Sequence, residues 1–263
     1  MTAAPPLSRQ PNAGVALVTG AAGRIGASIA RGLAARGYRT VIHFRSSETQ
    51  AKATAADIAR AGGTVALVQA DLSRRSERSS LIKQASEPFG PLSVLVNNAS
   101  LFEPDSVFDV DEALWDQHFR VHAEAPVFLA RDFAAQLPEG AEGNIVNIID
   151  ERVLHLSPAN LSYTLSKAVL WTATRTLAQS LAPRIRVNAI GPGPTLPAAA
   201  QTQESFETAQ ARLPLKRGAT PEDIADGVLF ILGAHSMTGQ LLALDGGEHL
   251  EYPERRKPTP RRP

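Results

Sequence analysis

The chain has no cysteine among its 263 residues, which excludes disulfides and thiolate chemistry. It lacks any apolar run of roughly 18 residues, so no membrane-spanning helix is expected. Charge of one sign is also missing: 27 basic residues face 26 acidic ones, for a formal net charge of +1. That balance gives no global reason for nucleic acid to bind. The histidines lack the spacing of metal ligands, and no metal site is expected. No internal repeat or interdomain linker is visible, and the first residues carry no apolar core of signal-peptide type. A cytoplasmic location is the default for such a chain.

What is present is a composition 43% hydrophobic, enough for a sizeable core. Residues 1–12 are Pro-rich and polar and read as a flexible leader. Residues 13–250 read as one domain, and the basic, Pro-rich residues 251–263 as a solvated tail. Apolar runs recur at Val15–Thr19, Thr40–Phe44, Thr64–Ala70, Leu92–Val96, from Asn144 to Ile149, Arg186–Ile190 and Leu241–Leu244. Segments of helical period separate them: one up to Gly37, Thr49–Ala61, Glu77–Glu87, Leu114–Gln136 with an interruption near Pro126, and Tyr163–Leu181. A last helix starts at Pro221 behind Thr220 as N-cap. Strands alternating with helices predict right-handed crossovers and a parallel sheet with helices on both faces, an α/β doubly wound fold. Ligands in such sheets sit beyond the strand C-termini. Asp71, Asn98, Ser100, Phe102, Asp150 and Gly191 all fall there. The stretch Thr195–Leu213 shows no apolar core pattern and reads as a mobile lid.

Two stretches carry chemistry. Gly20-Ala21-Ala22-Gly23-Arg24-Ile25-Gly26 lies between a strand and a helix. Its glycines let backbone N–H groups and a helix N-terminus approach a pyrophosphate. About twenty residues on, where a dinucleotide fold meets the adenosine ribose, the chain reads His43-Phe44-Arg45-Ser46-Ser47. A carboxylate there would accept the ribose 2′-hydroxyl. An arginine with two hydroxyls suits a 2′-phosphate instead, which favours NADP(H) over NAD(H). The second stretch is Tyr163-Thr164-Leu165-Ser166-Lys167, whose ends share a helix face. A cation so placed lowers the phenol pKa and makes an acid/base unit plausible.

The Thr19-Gly20 turn, Asn97-Asn98-Ala99, Tyr163 with Lys167, Arg186-Val187-Asn188 with its Pro-Gly exit, and Leu244-Asp245-Gly246-Gly247 together resemble the short-chain dehydrogenase/reductase family. The resemblance covers nearly the whole chain. It implies a Rossmann-type sheet of seven parallel strands, hydride transfer from a nicotinamide cofactor, Tyr163 as acid/base, Lys167 on the nicotinamide ribose, and a homotetramer. Three positions depart from the common family pattern. Arg24 stands for the middle glycine, Asp150 for the serine thirteen residues before Tyr163, and His122 for the asparagine of the long helix. An ionised carboxylate cannot donate to a ketone oxygen as a serine does.

These departures, with the His43-Phe44-Arg45 and Asn98-Ala99-Ser100 runs and Phe102, resemble the pteridine reductase branch. That branch includes the bacterial dihydromonapterin and dihydrofolate reductases of this fold. The resemblance implies a small-molecule pterin substrate held by Arg24, Ser100, Phe102, Asp150 and Tyr163, with Phe102 stacking on the ring. It implies catalysis by Asp150, Tyr163 and Lys167. NADP(H) would be held by Gly20, Arg24, Ile25, His43, Phe44, Arg45, Ser46, Asp71, Leu72, Asn98, Ala99, Ser100, Tyr163, Lys167, Pro192 and Gly193. Plainer readings stand beside these: a ligand-free turn, an exposed loop cation at Arg45, a core-capping aromatic at Phe102, a helix-start cover at Arg24, a turn residue at Asp150, and a structural His122. A reductase of another carbonyl or imine and a catalytically inactive cofactor-binding scaffold both remain open.

Overall fold

A computed structural model describes residues 13–198 and 201–250. The expected leader, residues 1–12, and tail, residues 251–263, lie outside the described residues. Seven strands form one parallel sheet: β1 Val15–Val18, β2 Arg39–Phe44, β3 Val65–Gln69, β4 Val94–Asn97, β5 Gly143–Ile148, β6 Ile185–Pro192 and β7 Leu241–Leu244. Their spatial order is β3-β2-β1-β4-β5-β6-β7. The sheet grows from β1 to β3 in one direction, then restarts beside β1 with β4. Crossovers on the two sides of that junction leave toward opposite faces, so a crevice opens beyond the carboxyl ends of β1 and β4.

Strands buried on both faces have no polar alternation, and β1 and β4 are buried throughout. One face packs Ala16, Val18, Ile42 and Val96 against α1 (Arg24–Ala35) and α8 (Pro221–Gly233). The other packs Leu17, Val41, Leu95 and Ile145 against α3 (Arg75–Ser86) and α5 (Ala125–Gln136), where Phe133 is fully buried. Helix α2 (Glu48–Arg60) covers the β2–β3 edge. Helix α6 (Leu161–Leu181) crosses behind β6. Thr220 caps α8 as the sequence indicates: its hydroxyl accepts from Asp223 N–H at 3.1 Å, while the Asp223 carboxylate accepts from Thr220 N–H at 2.8 Å.

Three segments differ from the sequence reading. Strand β6 continues through Gly191 and Pro192, which pair with Ala243 and Leu244, so the exit turn begins two residues later than expected, at Gly193. The long helix is α4 (Glu112–Phe119), a π-helical turn Arg120–Glu124, and then α5. Pro126 lies in the first turn of α5, directly after the π-helical turn in a continuous helical path, and lacks the N–H an α-helical bond would use there; Val121, His122 and Ala123 of that turn are buried. Within 195–213 the chain forms α7 (Gln203–Arg212). Phe206 is its one buried residue, and a single apolar anchor leaves no period to read.

Below the crevice, Asn147 is fully buried. Its Oδ1 accepts from Asn97 Nδ2 at 2.8 Å, and its Nδ2 donates to Thr174 Oγ1 at 2.8 Å. Asn147→Ala would strand Asn97 Nδ2 without water, while the Thr174 hydroxyl still donates to Leu170 O at 2.8 Å. Denaturant unfolding should show a loss of about 1–3 kcal/mol, the cost of one unsatisfied buried group. A loss under about 0.5 kcal/mol would mean the network contributes nothing.

Candidate active site

All the catalytic, cofactor and substrate residues expected from the sequence line one cleft of about 890 Å³, whereas Gly191 and His122 are not part of its lining. Its floor is the glycine turn. Thr19 Oγ1 accepts from the N–H groups of Asn98 and Ala99 at 2.9 and 3.0 Å, and Asn98 Nδ2 donates to the carbonyls of Thr19 and Gly20. Gly20 has φ +63°, and a Cβ there would lie 2.8 Å from Ala99 Cα. Only glycine permits that approach.

Helix α1 then starts behind Gly23 with no side-chain cap and no acidic residue in its first turn. Its first N–H groups and positive end stay free for an anion. Arg24, held at φ +54°, sends its guanidinium to Pro197 O at 3.1 Å and ties the turn to the segment after β6. At the far end of the cleft Arg45 and Ser46 are exposed, and Asp71 closes the β3 exit by accepting from Ser73 N–H and Oγ–H. The walls near the turn include the buried Phe44 and Leu72 together with Ile25. On the opposite side, Pro192 leads to Gly193, where a Cβ would meet Asp245 Cα at 2.8 Å. Uncapped amides, two arginines and hydroxyls along one groove are a donor set that fits a phosphorylated dinucleotide.

His43 differs from its expected role as a cofactor contact. Gly20 N–H donates to its Nδ1 at 3.1 Å, so Nδ1 bears no proton and Nε2–H donates to Ala70 O at 2.9 Å. Burial pushes its pKa down to about 4. With both ring nitrogens engaged inside the protein, His43 shapes the turn rather than contacting a ligand through them. The amide of Asn98 is similarly turned inward, onto the turn carbonyls.

The reacting end is built on the β5 exit and α6. Tyr163 Oη–H donates to Asp150 Oδ2 at 2.8 Å. Asp150 also accepts from Arg152 N–H at 3.0 Å, and the Arg152 guanidinium reaches both carboxylate oxygens at 3.3 Å. Phe102 meets Tyr163 edge-on, with centroids 4.8 Å apart, and remains 41% exposed. A core cap would be covered; this ring stands in the cleft.

Lys167 is buried and its Nζ donates to Ile148 O at 2.9 Å. Burial lowers its pKa to about 8. The sequence expectation that this cation lowers the tyrosine pKa is reversed here. Burial, and then the Asp150 carboxylate, hold the Tyr163 phenol well above its usual value. The hydroxyl of Tyr163 meets the Asp150 carboxylate, while the ammonium donates to a backbone carbonyl and lies 5.7 Å from the Tyr163 ring centroid.

Sequence reading passed over Arg152 and Glu151 and assigned His122 no part in the site. Arg152 could have been found from the need of a half-buried Asp150 for a counter-charge nearby. His122 Nε2 lies 2.9 Å from Ser100 Oγ. Glu151 lines the cleft, is 4% exposed, and leaves Oε2 with no hydrogen-bond partner. Among the described residues no cluster of His, Asp and Glu could hold a metal ion, and no helix is long and apolar enough to cross a membrane.

Residues 20–249 match a family model described as enoyl-(acyl carrier protein) reductase. A Methylorubrum extorquens protein described as an uncharacterised oxidoreductase is 35% identical over 241 residues, covering 89% of this chain and 96% of its own. Among solved structures, FolM alternative dihydrofolate reductase 1 from Brucella canis, complexed with NADP, is similar at TM-score 0.90 and 48% identity. That likeness covers 95% of this chain and 100% of that one. The Brucella suis FolM protein, also in complex with NADP, gives TM-score 0.90 and 49% identity over 94% and 99%.

Burial, with the carboxylates of Glu248 and Asp150 adding to it, pushes the Glu151 pKa up from 4.5 to about 8. Between those values the folded chain holds a proton that the unfolded chain releases. The stability tied to this carboxyl is therefore full below the lower value and lost as pH rises through the upper one. Glu151→Gln removes the titration. Thermal unfolding should show the variant close to the parent at about pH 4.5 and more stable by about 1 kcal/mol or more at about pH 8.5, roughly 2–4 °C for a chain of this size. A difference that does not change between those pH values would contradict a buried neutral carboxyl.

Proposed function

This chain belongs to the short-chain dehydrogenase/reductase family and is an NADP-dependent oxidoreductase, and from that premise we propose that its substrate is a pteridine of the dihydropterin or dihydrofolate type. One observation carries the reading: the Asp150 carboxylate takes the Tyr163 hydroxyl at 2.8 Å beside the open ring of Phe102. A carboxylate paired with Arg152 accepts hydrogen bonds and cannot donate one to a ketone oxygen. A pterin supplies what this site lacks, since it has N–H donors on its edge and a flat face for Phe102.

NADPH bound along the cleft supplies the hydride. The chain's own residues supply position and the proton. The first amides of α1, Arg24 and Arg45 with Ser46 would hold phosphates. Asp71, Asn98 and Ala99 would border the nucleosides, with Pro192 and Gly193 bounding the nicotinamide end. Lys167, held on Ile148 O, would meet the ribose there. Tyr163 stays protonated at neutral pH because burial and Asp150 disfavour the phenolate. When a ring C=N carbon takes the hydride, the nitrogen takes that proton, and the Arg152 guanidinium, which favours the phenolate, offsets the charge left on Tyr163 beside Asp150.

Helix α7, anchored by Phe206 within the expected lid, would cover the substrate. The exposed Leu165 and Val169 on α6 and Phe230 on α8 offer two apolar faces for subunit contact, in keeping with the homotetramer that the family resemblance implies.

The deciding assay is NADPH oxidation with dihydrobiopterin, dihydromonapterin, dihydrofolate and a ketone panel; turnover of ketones alone would defeat the pteridine reading. Tyr163→Phe should keep cofactor affinity and slow hydride transfer by about 10²–10⁴, and a parental single-turnover rate would require another proton donor. Asp150→Ser should abolish pterin reduction while ketone activity is unchanged or higher. Arg45→Ala should raise the NADPH dissociation constant by roughly ten- to a hundredfold, the loss of one charge-assisted contact, and leave NADH binding almost unaltered. Equal parental affinity for the two cofactors would contradict the role given to Arg45.

A further inference from the structure

His122 stands on the π-helical turn between α4 and α5 and is 1% exposed. The N–H of Leu101 points at its Nε2 from 3.2 Å. A backbone amide can only donate, so Nε2 carries no proton. Burial and the neighbouring Lys167 and His118 hold the His122 pKa well below its usual value, which leaves a neutral ring with its one proton on Nδ1. Nδ1–H then donates to Ser166 Oγ at 2.9 Å, and the Ser166 hydroxyl passes its own proton to Tyr163 O at 2.7 Å.

At the other end of the ring, Ser100 Oγ lies 2.9 Å from Nε2. With Nε2 fixed as an acceptor, that contact is attractive only if the Ser100 hydroxyl donates. Its other partners are Leu101 O, farther at 3.3 Å, and the Tyr163 hydroxyl, whose own proton goes to Asp150. Ser100 lines the cleft. With its proton committed to the imidazole, it faces the cleft through its lone pairs.

We propose that His122 is a specificity-determining residue that sets the hydrogen-bond polarity of the substrate site. By taking the Ser100 proton it makes Ser100 an acceptor beside the Asp150 carboxylate, so the cleft receives N–H groups and turns away a carbonyl oxygen. An asparagine at this place could offer Ser100 either its oxygen or its NH₂, and the serine hydroxyl would be free to turn toward a ketone. A ring with one proton, already committed to Ser166, has no such choice. His118 reinforces the arrangement by stacking on the ring, centroids 5.5 Å apart, with its own Nδ1 on Ser162 Oγ at 2.6 Å. The substrate side of this inference rests on the pteridine reading; the proton assignment does not.

Long-range proton–nitrogen NMR of the full chain with ¹⁵N-histidine tests the assignment directly. The His122 signals are identified among the six histidines by their loss in His122→Asn. The expected spectrum shows Nδ1 protonated and Nε2 bare at neutral pH; a proton on Nε2 overturns the proposal. Steady-state kinetics then read the polarity. His122→Asn should lower the ratio of dihydropterin to ketone kcat/KM by about tenfold or more, the scale of one misdirected hydrogen bond, with NADPH affinity within about threefold of the parent. A parental ratio in a folded variant overturns the proposal.

Should His122→Asn fail to fold, Ser166→Ala frees Nδ1 and should move the ratio in the same direction, and no movement there counts equally against the idea. In that case Ser166→Ala would also supply the histidine signals that shift. A parent without pterin turnover would defeat the pteridine reading and the substrate side of this one, while the spectrum would still decide which nitrogen carries the proton.

Discussion

Everything in this active site hangs on the approach of two strand ends. At the junction where the sheet reverses its growth, β1 and β4 leave the sheet side by side, and Thr19 and Gly20 pass within van der Waals contact of Asn98 and Ala99. Parallel neighbours whose chains depart to opposite faces leave a crevice that no side chain of the sheet fills. Closing the strand ends requires a residue without a Cβ, and holding them closed requires donors and acceptors for the amides so exposed. Thr19, Asn98 and His43 meet that requirement with their side chains. The groove, the free start of α1 and the distance to Tyr163 follow from the same contact.

Much of this could be read from residues alone, because the determinants are local. Apolar runs that lack alternation mark strands covered on both faces, and glycines between strand and helix mark a turn. Asp150 and Tyr163 are separated by a spacing that the fold converts into one hydrogen bond. What could not be read depends on direction. A lysine four residues from a tyrosine shares its helix face, yet here Nζ is spent on Ile148 O and the phenol answers to a carboxylate. His43 lies next to the end of an apolar strand and has the place of a cofactor contact; that both ring nitrogens are taken up by Gly20 and Ala70 depends on two other strands. Helix α7 escaped notice since one buried phenylalanine in ten residues makes no pattern.

The polar groups at the reacting end show a common bias. Asp150 accepts, Ser100 is turned to accept, and Tyr163 gives its proton inward to Asp150. Arg152 pairs with the Asp150 carboxylate and sits 5.5 Å from the Phe102 ring, so the counter-charge and the aromatic platform are parts of one assembly. Such a site offers few donors to a carbonyl oxygen, which is why the proposed substrate is a ring that brings its own N–H groups. The departures from the usual family residues are therefore not independent, since a carboxylate at 150 and a histidine at 122 push the site in the same chemical direction.

The π-helical turn at Arg120–Glu124 has a consequence for how such a site can arise. A turn of this kind carries one residue more than the α-helix around it, and each residue of an α-helix advances the side-chain direction by about 100°. Removing a single codon from this stretch would restore an unbroken helix and swing the imidazole away from the serine by about a quarter of a revolution. Adding one back would reverse the change. Such a change would also rotate the residues on one side of the turn, the buried His118 among them, so the place of the imidazole and the packing of α4 are set by the same extra residue.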